Sequence, residues 1–115
     1  MTLPSDHLPA ADGRAATFAD DIGTRADAAT GFLKAFAHEG RLTILCHLIG
    51  GEKSVTELET LLASRQAAVS QQLARLRLEG LVRPRRDGKV IHYSLCDQRT
   101  ERMIGLLNEL FCKKP

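Results

Sequence analysis

The residues whose chemistry stands out are the thiols of Cys46, Cys96 and Cys112, a polar run that opens at Arg65, and a basic cluster between Arg83 and Lys89. A thiolate is a nucleophile and a soft metal ligand, so each cysteine is a candidate reactive group. Three cysteines set far apart do not make the disulfide framework of a secreted domain, and a reducing cytoplasm is the expected location. The run Arg65, Gln66, Ala67, Ala68, Ser70, Gln71, with Gln72 and Arg75 further along, holds the groups that read base edges. Glutamine bonds adenine bidentately, serine reaches bases or phosphate, and alanine leaves room for a thymine methyl. Arg83, Arg85, Arg86 and Lys89 could contact phosphate or the minor groove. The plainer alternative is an ordinary amphipathic helix followed by a solvated basic hairpin. His7, His38, His47 and His92 are scattered without ligand spacing, so no metal and no cofactor are expected.

The charge distribution agrees with a polyanionic partner. A net charge of +2 conceals residues 1–40, with three Lys/Arg against six Asp/Glu, and residues 65–102, with nine against four. A small domain with one basic half is what a nucleic-acid face looks like, although a solvated surface gives the same balance. The 115 residues are enough for one domain with one core, and 43% hydrophobic with 26% charged residues is globular composition. No run of 18 apolar residues is present, and residues 1–21 lack the basic start and apolar stretch of a signal peptide.

The elements that must position these groups follow from periodicity. Residues 1–14 hold two prolines and a glycine and read as a flexible tail, with residues 15–115 as the folded domain. Phe18, Ile22, Ala26, Ala29, Phe32, Leu33 and Phe36 recur at helical spacing, as one long helix or two consecutive ones up to His38. Gly40 breaks the pattern, and a short helix from Arg41 to Ile49 is expected to turn Leu42, Leu45, Cys46 and Ile49 to one face. Ser54 and Glu57 form a capping-box pattern ahead of a helix from Val55 to Leu62. A second helix, Gln66 to Glu79, points Val69, Leu73, Leu76 and Leu78 or Leu81 inward. Val82–Arg86, the pair Asp87-Gly88, and Lys89–Leu95 read as a hairpin, and Thr100–Cys112 as a last helix. Helix–turn–helix followed directly by a hairpin is a winged helix-turn-helix, mainly α with a small β wing.

The stretches FLKAFAHEGRLTILCHL, SVTELETLL and QAAVSQQLARLRLEGLVRPRRDGKVIHYSL, in that order, resemble the ArsR family of small winged-helix repressors over roughly residues 30–96. The resemblance implies a homodimer, built through the first and last helices, that binds an inverted-repeat operator until an inducer releases it. Core packing is the alternative for those apolar helix faces. Metal-sensing members resemble one another in cysteines on the first helix of the helix-turn-helix, or in Asp and His ligands on the last helix. Here SVTELETLL has neither Cys nor His, and no histidine follows Asp97. The pair Cys46, after Arg41-Leu42-Thr43-Ile44-Leu45, and Cys112, after Phe111, instead resembles the subgroup responsive to sulfide and persulfides, the BigR and SqrR type.

That resemblance implies that low-molecular-weight persulfides join Cys46 to Cys112 by a disulfide or a polysulfide bridge and so release DNA. A direct disulfide needs Cα atoms within about 7 Å, whereas a longer sulfur chain spans a wider gap. A sensing thiol also needs a lowered pKa, for which Arg41 and His47 near Cys46, and Lys113 and Lys114 beside Cys112, supply charge. Cys96 matches no position of the subgroup and reads as a bystander. A sensor of general oxidants or of a metal on the same fold, a thiol redox enzyme and a DNA-free interaction module remain open. The absence of Cys-x-x-Cys and of a triad-like order of His or Asp speaks against the enzyme.

Overall fold

A computed structural model describes residues 14–63 and 66–112, with side chains for residues 19–63 and 67–112. The expected N-terminal tail lies outside the described residues except for Arg14, which opens the first helix. The chain divides into two compact units, Met1–Leu33 and Lys34–Pro115. The first contains α1 (Arg14–Thr24) and most of α2 (Ala26–Phe36), so the apolar spacing before His38 resolves into two helices.

The second unit carries the end of α2, then α3 (Glu39–Leu48), β1 (Lys53–Ser54), α4 (Val55–Leu62), α5 (Gln66–Leu78), β2 (Val82–Asp87), β3 (Val90–Leu95) and α6 (Gln98–Leu107). A π-helical turn, Asn108–Cys112, follows α6. The strands form an antiparallel sheet in the order β1-β3-β2. The helix-turn-helix and hairpin expected from the sequence are all present, and the fold is a winged helix.

The core is aliphatic. Ile44, Leu45 and Leu48 of α3 meet Leu58 of α4, Val69, Leu73 and Leu76 of α5, Leu81, Val82 and Ile104, all buried. Burial of this kind is the main driving term for so small a unit. The register of α3 differs from the expected one: Ile44, Leu45 and Leu48 face inward, while Cys46 and Ile49 are exposed. The helix begins earlier than expected because the His38 ring caps it, and Gly40 lies inside its first turn. At the end of α5 Leu81 is buried and Leu78 is 80% exposed, since the chain leaves the helix between them.

Two local devices set the joints. Ser54 accepts a hydrogen bond from the Glu57 N–H at 3.1 Å, and the Glu57 carboxylate accepts one from the Ser54 N–H at 2.9 Å, which completes the capping box. The wing turn is Gly88-Lys89, one residue later than expected, because Asp87 pairs with Val90 in the ladder. Gly88 has φ +64°, the left-handed conformation that the first position of such a tight turn requires.

Candidate nucleic-acid interface and thiol pair

On α5 the buried residues Val69, Leu73 and Leu76 hold the helix to the core, and Ala67, Ala68, Ser70, Gln71, Ala74, Arg75, Arg77 and Leu78 are left exposed. Ala67, Ser70, Gln71, Ala74 and Leu78 follow i, i+3, i+4 spacing and form one outward stripe. Arg65 lies outside the described residues, and Gln66 is placed as the first residue of α5 with its side chain outside them. Gln72 does not join the stripe. Its amide nitrogen lies 3.5 Å from Nε2 of His38, whose Nδ1 accepts the Gly40 N–H at 3.0 Å. A Cβ at Gly40 would stand 3.1 Å from the same imidazole, so a side chain here would make the ring give way by a few tenths of an ångström. Gln72 therefore links α5 to the start of α3.

The basic residues divide into engaged and available groups. Arg75 pairs with Glu79 at 3.2 Å along α5. Arg85 is held by both carboxylate oxygens of Glu52, with contacts of 2.7, 2.9 and 3.2 Å. That fork keeps the Glu52 carboxyl below its ordinary value. Arg83, Arg86 and Lys89 are exposed on the wing. Ser70 from α5 and Lys89 from the wing turn, both expected to face DNA, line one cleft of about 260 Å³. Thr56 and Tyr93 share its wall. Sequence reasoning missed both because their proximity depends on β3 crossing beside α4. A second cleft, about 480 Å³, lies between Arg41 and the outer residues Gln71, Ala74 and Leu78 of α5.

The thiols are unbridged and exposed. Cys46 lies on α3, which packs against α6, and Cys112 ends the π-helical turn that follows α6. Partial burial pushes the Cys46 thiol above its ordinary value of 9.0, and the neighbouring Cys112 raises it further. This reverses the expected lowering. The Arg41 guanidinium is turned away to the α2 C-terminus, where it donates to the Ala35 carbonyl at 3.1 Å and the Lys34 carbonyl at 2.9 Å. Lys113 and Lys114 lie outside the described residues. Cys96 donates its S–H to the Gly80 carbonyl at 3.3 Å and ties the wing's exit to the end of α5.

Among the described residues no three His, Cys, Asp or Glu side chains stand together as metal ligands. Asp97 instead caps α6: its carboxylate accepts the Arg99 N–H at 2.8 Å and pairs with the Arg99 guanidinium at 2.6 Å, which lowers the Asp97 pKa. No helix among the described residues is long and apolar enough to cross a membrane.

A buried core of α3, α4 and α5, the exposed polar face of α5 and a basic hairpin define a winged helix-turn-helix protein. The family model for bacterial regulatory proteins of the arsR family matches residues 38–83. The transcriptional activator HlyU of Vibrio cholerae is 46% identical over 81 residues, which cover 70% of this chain and 75% of HlyU. The biofilm growth-associated repressor of Agrobacterium fabrum is 46% identical over 80 residues, covering 70% and 68%. The crystal structure of the transcriptional repressor BigR from Xylella fastidiosa superposes with a TM-score of 0.78 at 37% identity, covering 83% of this chain and 97% of that one. The chain belongs to the ArsR family and is a transcriptional regulator of the BigR and HlyU type.

Proposed function

We propose that this regulator is a dithiol repressor, active as a homodimer on an inverted-repeat operator when reduced and released when reactive sulfur species join Cys46 to Cys112. The observation that carries the reading is geometric: both thiols are unbridged and exposed, Cys46 on α3 and Cys112 at the end of the turn that continues α6, the helix packed against α3. The chemistry balances with a low-molecular-weight persulfide RSSH as the only reagent. A cysteine thiolate attacks the outer sulfur, RSH leaves, and a cysteine persulfide remains. The second thiolate then attacks the inner sulfur, forming a disulfide and expelling HS⁻. If both cysteines are first persulfidated, their condensation gives a trisulfide and H₂S.

The DNA-facing side chains in this reading are those of the α5 stripe with Arg65, Gln66 and Arg75, and Arg83, Arg86 and Lys89 on the wing. A cross-link that repositions α6 against α3 shifts the two recognition helices of a dimer away from half-sites about 34–36 Å apart. A difference of about 1.4 kcal/mol between the two poses weakens binding tenfold. The test is mass spectrometry of persulfide-treated protein beside a peroxide control, followed by DNA release. The expected product is a cross-linked Cys46–Cys112 peptide, a disulfide or a trisulfide according to the route, formed with loss of DNA affinity. Thiols that stay free or are capped singly, or tighter DNA binding by the cross-linked form, overturn the reading.

A further inference from the structure

We infer that the Glu52–Arg85 pair is a brace that sets the wing against α4, and that Arg85 serves DNA binding as a positioning residue rather than as a phosphate ligand. The second half rests on the proposed DNA-binding reading; the first half stands on geometry. In the sheet Arg85 of β2 is paired with His92 of β3, and His92 with Ser54 of β1. Glu52 lies one residue before β1, so the Arg85 side chain crosses the middle strand to reach it, a span of about 9–10 Å at two strand spacings. The contact is a two-point fork, which fixes direction as well as distance.

The fork matters because the join it reinforces is slight. β1 contributes only two residues, paired Lys53 with Tyr93 and Ser54 with His92, and α4 starts immediately after it. Beside that short ladder between β1 and β3, the Arg85 fork runs from the outer strand β2 to the segment leading into α4. Alternation along β2 supplies an independent observation. Directly paired residues share a face, so Pro84 and Arg86 lie on the face of Tyr93 and Ile91, while Arg83 and Arg85 lie on the opposite face. Tyr93 and Ile91 line the cleft with Ser70 of α5 and Lys89. Arg86 thus shares the face of Ile91 and Tyr93, and Lys89 in the turn lines the cleft itself together with Ser54 and Val90, whereas Arg85 lies on the opposite face from Arg86 and is not part of the cleft wall.

Charge exchange tests this. Arg85→Glu sets two carboxylates against each other; the Glu52→Arg/Arg85→Glu double variant restores the pair and the wild-type net charge. Two readouts are used: amide hydrogen exchange of β2 and β3 in the free protein, and the salt dependence of binding to a fluorescent random-sequence DNA duplex. The brace predicts that Arg85→Glu exchanges these amides faster and binds several-fold more weakly. It predicts that the double variant regains both, with the wild-type slope of log K against log salt. Glu52→Gln, which adds no repulsion, accelerates the same amides and keeps the test readable if Arg85→Glu fails to fold. Unchanged exchange in Glu52→Gln overturns the brace. A double variant that recovers protection but stays weak on DNA, with a slope shallower by about 0.9, makes Arg85 a phosphate ligand. If wild-type protein shows no salt-dependent duplex binding while the exchange pattern holds, the DNA reading fails and the brace stands.

Discussion

At the scale of single residues, the environment of Cys46 governs its reactivity. Its thiol is exposed, yet burial of its flank and the nearby Cys112 hold the proton on it above the ordinary 9.0. The thiolate is the reactive form, so alkylation of Cys46 by iodoacetamide is expected to be slow at neutral pH, with a pH–rate midpoint above 9.0. Cys112→Ser removes one of the two causes and should move that midpoint down. Peptide-resolved mass spectrometry after timed alkylation checks both outcomes, and a midpoint unchanged in Cys112→Ser would show that the two thiols do not interact. The family resemblance implied Cys46 and Cys112 as a pair, while the neighbouring charges in the sequence suggested the wrong sign for the shift. Arg41 is five residues from Cys46 along the chain, and only the fold reveals that its guanidinium is committed to the Lys34 and Ala35 carbonyls.

At the scale of elements, legibility followed locality. The capping box on α4 was readable because Ser54 and Glu57 are three residues apart and their bonds are made within one turn. The hairpin was readable from a glycine in a polar turn between two β-prone runs, with its turn misplaced by one residue because register is decided by the ladder. β1 was not readable, since two residues have no period, and Lys53 and Ser54 become a strand only when β3 lies beside them. The inward face of α3 was misjudged for a similar reason. Leu42, Leu45 and Ile49 share a helical stripe, but the face that is buried is the one the packing of α5 selects, Ile44, Leu45 and Leu48. Ser54→Ala removes the cap from a short helix and, with Ser54 itself buried, should lower stability by about 1 kcal/mol in chemical denaturation. A cost within the noise of the measurement would mean that packing of Leu58 alone holds α4.

At the scale of the whole molecule, three carboxylates respond to acid together. Glu52 is held below its ordinary 4.5 chiefly by the Arg85 hydrogen bond, Glu57 below 4.5 by the Ser54 backbone N–H, and Asp97 below 3.8 by the Arg99 guanidinium. The unfolded chain takes up these protons at the ordinary values and the folded chain only at lower pH. Their stabilisation is therefore complete above the ordinary values and is lost as pH falls through the lowered ones. The thermal midpoint is expected to vary little between neutrality and about pH 5, then to drop, with a shallower acid limb in Glu52→Gln. An acid limb identical to wild type would mean that Glu52 carries no share. The overall plan was legible because helical and strand periods alternate clearly along residues 54–95, whereas the links between distant segments, Glu52 with Arg85 and His38 with Gln72, have no signature in one sequence.

Ser54 ends β1 and caps α4 at the same time, so the sheet and the helix-turn-helix share a residue instead of being joined by a linker. The wing is for that reason not an interchangeable part. A hairpin transplanted into residues 82–95 would have to pair with Lys53 and Ser54 and to offer the Glu52 carboxylate a partner where Arg85 stands. The wing of this protein is therefore matched to residues 52–54, and the piece that behaves as one unit is discontinuous in the chain.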